Sequence, residues 1–227
     1  MEQLDCVVSV TTWKGRINDQ DTFRSLFSLI NQKTKYKYKV VLTLSKEEFP
    51  NQYDDLPETL KLMYDYHCID IIWADNNYKA FKKLFPIMHL YDCPIMTTDD
   101  DIICNENIVE RFMDEHQKTP NAVLSEGGIR IHGLQLTGGF RLFPKDSLLD
   151  ISPEYFKTFF MNAEDDVYIS ILMAYKGTPL RYIHSGLMHE IPRKMNDRTA
   201  LRHTYRRINS AECKRNLIAA LKRDKVI

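Results

Sequence analysis

Apolar and polar positions along the first hundred residues fall into two alternating rhythms. Short β-branched runs at Cys6–Thr11 (CVVSVT), Lys39–Leu44 (KVVLTL), Ile69–Trp73 and Pro94–Thr98 (PIMTT) read as buried strands. Between them the apolar residues recur at helical spacing. Asp21 is placed to cap a helix whose stripe is Phe23, Leu26, Phe27 and Ile30. Leu56–Tyr66 reads as a helix behind Pro57, and Asn77–Leu90 as a helix that Pro86 breaks or kinks. Asn105 opens a further helix through about Gln117.

Strands and helices alternating at these lengths predict an α/β fold, a Rossmann-like and mostly parallel sheet with helices on both faces. Ligands of such sheets bind beyond the carboxyl ends of the strands. The segments Thr11–Arg16, Ala74–Asn77 and Asp99–Asp101 are therefore expected to converge on one crevice. The second half has a different texture. Ala122–Ser125 and Leu134–Phe143 read as strands, with glycines at 127, 128, 133, 138 and 139 that permit bends and close backbone approach to a ligand. Glu164–Tyr175 reads as a helix with an acidic first turn and Gly177 as its cap. Leu180–Ile183 is a strand, a loop follows to Arg193, and the basic tail reads as a helix with Leu201, Tyr205 and Ile208 on one stripe.

Composition narrows the class. The 227 residues are 44% hydrophobic and 27% charged, which suits one sizeable core and argues against disorder. Lys and Arg total 31, as do Asp and Glu, so a globally basic nucleic-acid binder is not expected. The neutral total hides an uneven spread. Residues 193–227 hold eleven basic and three acidic groups, a net of +8, and residues 1–192 carry the opposing −8. The five cysteines, Cys6, Cys68, Cys93, Cys104 and Cys213, form no CxxC pair, which points to a reducing, cytoplasmic setting rather than a disulfide framework. The opening MEQLDCVVSVTTW lacks a basic segment followed by a long apolar run, so no secretory leader is expected. No apolar run approaches the roughly 20 residues that a bilayer span needs.

Three segments carry candidate chemistry. In TTDDDII, residues 97–103, an apolar strand ends in three carboxylates. An extended chain points Asp99 and Asp101 the same way and Asp100 the other way. Two hard oxygen ligands at that spacing suit Mg²⁺ or Mn²⁺ and leave coordination positions for a diphosphate. A solvated acidic turn is the plainer reading. In NAEDDVYISI, residues 162–171, Glu164, Asp165 and Asp166 open a helix. Macrodipole complementarity explains any one of them; a fixed carboxylate there can also deprotonate an acceptor hydroxyl. In IHSGLMHEIPRK, residues 183–194, His184 and His189 are alternative metal ligands, with Arg193 and Lys194 placed to hold phosphate oxygens.

Together VVSVTTWKGRI, SLFSLINQ, KVVLTLS, the Lys-rich YKAFKKL and TTDDDII resemble bacterial glycosyltransferases of the GT-A fold, family-2-like in kind. The resemblance covers residues 5–193. It implies transfer of a sugar from a nucleotide-diphosphate donor, a UDP-sugar above all, to a hydroxyl, in surface polysaccharide synthesis. It further implies a DxD motif, with Asp101 and Asp99 on the metal and Asp99 or Asp100 toward the donor. Thr11, Thr12, Trp13 and Arg16 would meet the nucleotide, Asp75 the base or ribose, and Lys83 the phosphates. EDDVYIS resembles the family's ED motif, with Asp166 preferred and Asp165 next as the base of an inverting reaction; a retaining route stays open. His189 falls where the family has a metal-binding His, and Arg193 follows it as in the nucleotide-sugar loop of polypeptide N-acetylgalactosaminyltransferases. LTGGFRLF resembles the segment lining the sugar pocket through Gly138 and Gly139.

On this reading residues 1–192 are the catalytic domain, with 1–104 the nucleotide half and 105–192 the acceptor half, and 193–227 the basic tail. The expected partners are a nucleotide-sugar and a glycan or lipid-linked saccharide acceptor, with no nucleic acid. The tail is a candidate for contact with the inner face of a membrane. Two rivals remain. A sugar nucleotidyltransferase wants a Gly-rich loop after the first strand, where TTWKGRI has one glycine. A non-catalytic lipid- or polyanion-binding protein would rest on the tail alone.

Overall fold

The structure is a computed structural model that describes residues 3–131, 134–151 and 165–191, with positions 215, 218, 219, 222 and 223 of the tail. In chain order its strands are β1 (Cys6–Thr11), β2 (Tyr38–Ser45), β3 (Asp70–Ala74), β4 (Ile95–Thr97), β5 (Ile102–Cys104), β6 (Val123–Glu126), β7 (Gly128–Ile131), β8 (Leu134–Thr137), β9 (Arg141–Phe143), β10 (Leu180–Ile183) and β11 (Met188–Glu190). The helices are α1 (Gln20–Ile30), α2 (Glu58–Asp65), α3 (Ile108–Lys118) and α4 (Asp165–Lys176).

Seven strands form one sheet in the order β10-β6-β9-β4-β1-β2-β3. All run the same way except β9, which is antiparallel to both β4 and β6. Residues on both sides of position 104 thus build a single sheet. One face packs Val8, Val10, Leu42 and Leu142 against Leu26 and Leu29 of α1, Leu60 of α2 and Phe112 of α3. The other packs Val7, Val41, Ile95 and Phe143 against Phe81, Leu84 and, from α4, Ile169 and Leu172. The expected mostly parallel sheet with cover on both faces is what the chain adopts.

Several local expectations change. The run Leu134–Phe143 is two strands, β8 and β9, and the loop expected after Ile183 holds β11. Asp19, not Asp21, caps α1, its carboxylate accepting from the Asp21 amide at 3.2 Å. The buried stripe accordingly runs through Thr22, Ser25, Leu26 and Leu29, and Phe27 is 59% exposed. The segment 77–90 holds a short 3₁₀ turn, Lys79–Lys83, in place of an α-helix. Lys79 adopts a left-handed φ of 51°, and Asn77 accepts from its amide at 3.2 Å, so the chain turns too sharply to propagate a helix. The predicted helical tail lies outside the described residues, apart from those isolated positions.

The second face changes character along the strands. Val7, Ile95 and Phe143 are paired across β1, β4 and β9 in an apolar row. Two residues further, Ser9, Thr97, Arg141 and Ser125 are paired across β1, β4, β9 and β6. Side chains two apart share a face, so the sheet turns from apolar to polar within one pleat. All four polar residues are buried, and burying polar groups is costly unless they are used. This polar end lies at the carboxyl end of the parallel strands, where Asp99–Asp101 begin.

Candidate active site

The loop after β1 and the acidic segment after β4 are tied through Asp100. Its buried carboxylate accepts from the Thr12 hydroxyl at 2.7 Å and from Arg16 at 2.7 Å. Thr11 turns aside and donates to the Thr43 carbonyl at 2.7 Å. The Ser25 hydroxyl of α1 donates to the Asp99 carbonyl at 3.1 Å. Asp100 therefore faces inward, while the Asp99 and Asp101 side chains stay 41% and 28% exposed. Trp13 is an exposed indole folded over Gly15, where an added Cβ would come within 2.3 Å of its ring.

A chain of alternating charges runs from this loop to the start of α4. Lys83, almost wholly buried, contacts Asp99 and lies 2.9 Å from Asp165. Arg141, equally buried, lies 3.1 Å from Asp165 and contacts Asp166. Three carboxylates thus share two cations, and Asp165 in the middle takes both. Burial alone would raise the Asp165 pKa, but Lys83 and Arg141 hold it below the usual carboxylate range. Burial beside the Asp165 and Asp99 charges lifts Asp166 to about 7, against the pull of Arg141. The Asp166 side chain keeps 41% of its surface exposed, against 14% for Asp165. A carboxylate that titrates near neutrality and remains accessible can take a proton; one clamped between two cations cannot do so readily.

The glycine-rich segment abuts this chain. Gly138 has no room for a side chain, since a Cβ would fall 2.1 Å from the Glu126 carbonyl. Its carbonyl accepts from Arg141 Nε at 2.6 Å. The Glu126 carboxylate accepts from the Ser185 amide at 2.8 Å, the Gly186 amide at 3.0 Å and the Ser185 hydroxyl at 2.7 Å. It thereby fixes the turn between β10 and β11. His184, exposed beside Gly127, starts that turn, and His189, also exposed, lies on β11 opposite Ile103 of β5. The Asp101 carbonyl accepts from the Ile191 amide at 2.9 Å, so β11 reaches the acidic segment.

The site so brings together Thr12, Arg16, Asp99, Asp100, Asp101, Lys83, Asp165 and Asp166. The ammonium of Lys83 is taken up by two carboxylates, and the Thr12 and Arg16 side chains by Asp100. Asp75 stands apart, 80% exposed and 2.6 Å from Lys46. Arg193 and Glu164 lie outside the described residues. Among the described residues no three His, Cys, Asp or Glu side chains converge on a ready metal position. Asp99 and Asp101 keep part of their carboxylates exposed in the acidic segment, where Asp99 is already in contact with the Lys83 ammonium.

Sequence reasoning passed over Arg141 and Glu126. An Arg inside FRLF, an otherwise apolar run after two glycines, was the available signal for the first. Glu126 had none, because its partners are sixty residues away. Lys82 is a further buried cation, 2.5 Å from Glu48.

No protein-family model matches the sequence, and no curated protein matches it. Solved structures do match the fold. The chain is similar in fold to S. aureus TarS. The crystal structure of TarS 1-349, in complex with UDP-GlcNAc, superposes with a TM-score of 0.60 at 10% sequence identity. The match covers 94% of this chain and 65% of the TarS chain. At that identity the similarity is one of architecture. The fold is the α/β, Rossmann-like GT-A arrangement, and no helix among the described residues is long and apolar enough to cross a membrane.

Proposed function

We propose that the chain is a glycosyltransferase that moves a sugar from a nucleotide-diphosphate donor to a hydroxyl of a glycan or lipid-linked saccharide. One observation carries this reading. At the carboxyl end of a GT-A sheet, an acidic segment and a helix-borne carboxylate pair are joined by Lys83 into a single site. TarS, which shares the fold, was solved with UDP-GlcNAc, and this supports a UDP-sugar as the first donor to try.

Trp13 offers an exposed ring for stacking on the base of the nucleotide. Asp99 and Asp101 would hold Mn²⁺ or Mg²⁺, which would stabilise the charge on the departing diphosphate, with His189 of β11 as the further candidate ligand. Asp166 accepts the proton of the acceptor hydroxyl. The hydroxyl oxygen bonds to the anomeric carbon as the bond from that carbon to the diphosphate breaks. Attack from the face opposite the diphosphate inverts the anomeric centre. Asp165, held ionised by Lys83 and Arg141, stays a spectator to the proton transfer. The net +8 of residues 193–227 supports contact of the tail with an anionic lipid surface.

The test is a calorimetric titration with UDP, with and without Mn²⁺, on the wild-type chain and on Asp101→Ala. Metal-dependent binding lost in the variant is the expected outcome. Absence of binding to UDP, GDP, CDP and dTDP alike would overturn the reading.

A further inference from the structure

Arg141 is the least expected charge in the molecule. It lies on β9, the reversed strand, with its Cα paired to Thr97 on one side and Ser125 on the other. It is 1% exposed, so water does not solvate its guanidinium. Each nitrogen of the fork has a separate acceptor. Nε donates to the Gly138 carbonyl at 2.6 Å, one terminal nitrogen lies 3.1 Å from Asp165, and the other contacts Asp166. A rigid planar fork with three fixed acceptors can set the direction of a carboxylate, which a flexible ammonium cannot do.

We propose that Arg141 is a positioning residue, which aims the Asp166 carboxylate by tying it to the Gly138 turn and to Asp165. The proposal rests on the reading of Asp166 as the base. Neutralising buried acid would need only a cation. The geometry supplies more, because the same guanidinium holds both the Gly138 turn and the first carboxylates of α4. The turn and the base then keep a constant separation. Misplacing a reacting group by about 1 Å can cost roughly 100-fold in rate, which is the effect such a tether prevents. Among the described residues, the charged groups facing Asp166 are Arg141, Asp165, Lys83 and Asp99, and of these Arg141 contacts its carboxylate.

Two variants of the full chain test this. Arg141→Lys keeps the charge and loses the fork, and Arg141→Met loses both. The first readout, carboxyl-carbon NMR of Asp166 across pH, needs neither donor nor acceptor. The Asp166 titration should move upward in Arg141→Met, and its ionised-state chemical shift should change in Arg141→Lys. Unchanged signals in both would overturn the proposal. The second readout is UDP release from UDP-GlcNAc, alongside UDP affinity by calorimetry. Arg141→Lys should bind UDP within about twofold of wild type and lose about 100-fold in turnover, and in an Asp166→Asn background the same change should cost nothing further. Full turnover in Arg141→Lys, or loss of UDP binding in step with turnover, would overturn it. A wild-type chain that binds no nucleotide sinks the transferase reading instead, and the NMR titration then decides the role of Arg141 by itself.

Discussion

Lys83 lies 2.9 Å from Asp165 at a position from which water is excluded. It is also in contact with Asp99, so one ammonium joins the end of β4 to the start of α4. A buried cation balanced by two carboxylates behaves as a strut, and the sequence-based expectation that it reaches the donor phosphates has to contend with that engagement.

Removing the strut leaves carboxylates without their partner. Breaking a buried ion pair costs about 3 kcal/mol or more, because the remaining charge is stranded. Lys83→Met is expected to lose about 3 kcal/mol of stability in urea unfolding at pH 7.5. A loss under 1 kcal/mol would mean that the carboxylates find other partners or water.

A pH dependence follows from Asp166. Burial beside Asp165 and Asp99 lifts its pKa from the ordinary carboxylate range to about 7. A base there is protonated and idle below that point and ionised above it. Turnover should therefore rise with pH, about tenfold per unit, up to pH 7 and then level off. Stability has the opposite trend. The folded chain keeps a proton that the unfolded chain releases between about pH 4 and 7, so this contribution is full below that window and lost as pH rises through it. Asp166→Asn should lower turnover to a small residual rate and remove this contribution from both profiles; a rate limb that persists in the variant would assign the titration to another group.

The fold was legible in the chain to the extent that its signals were local. β-Branched runs gave β1 to β4, and the carboxylates after PIMTT stand where β4 ends. The segment Lys79–Lys83 has a helical composition yet forms a 3₁₀ turn in place of an α-helix. The left-handed φ at Lys79 and the Asn77 hydrogen bond that break it are set by the fold around them. Within the site, acidic triplets identified both carboxylate groups, but which carboxylate faces inward depended on Thr12 and Arg16 from a loop some 84 to 88 residues away. Arg141 and Glu126 act through partners distant in sequence, a relationship that spacing along one chain does not encode.

Glycine at position 138 makes a steric prediction. A methyl there would meet the Glu126 carbonyl at 2.1 Å, and backbone cannot step aside cheaply. Gly138→Ala should cost about 2 kcal/mol, in the range of overpacked cores. At Gly139 the obstruction is the far end of the Ile102 side chain, which can rotate away. Gly139→Ala should therefore melt several degrees above Gly138→Ala in a thermal scan. Equal melting points would show that the turn relaxes as a unit.

The three carboxylates after β4 should separate into two functions. Asp100 is buried and spends both oxygens on Thr12 and Arg16, so it braces the β1 loop. Its removal leaves a buried hydroxyl and a largely buried guanidinium without their acceptor, at a cost of about 2 kcal/mol. Asp101 keeps more of its surface open and lies 3.8 Å from Arg16. Asp100→Ala should thus lower the unfolding midpoint, whereas Asp101→Ala should leave it in place and remove Mn²⁺-dependent UDP binding. Urea titration paired with calorimetry on the two variants reads both quantities. The reverse pattern, with Asp100→Ala stable and unable to bind, would place Asp100 on the cation and shift the ligand register by one residue. That shift would turn Thr12 and Arg16 from braces into groups released when the donor arrives.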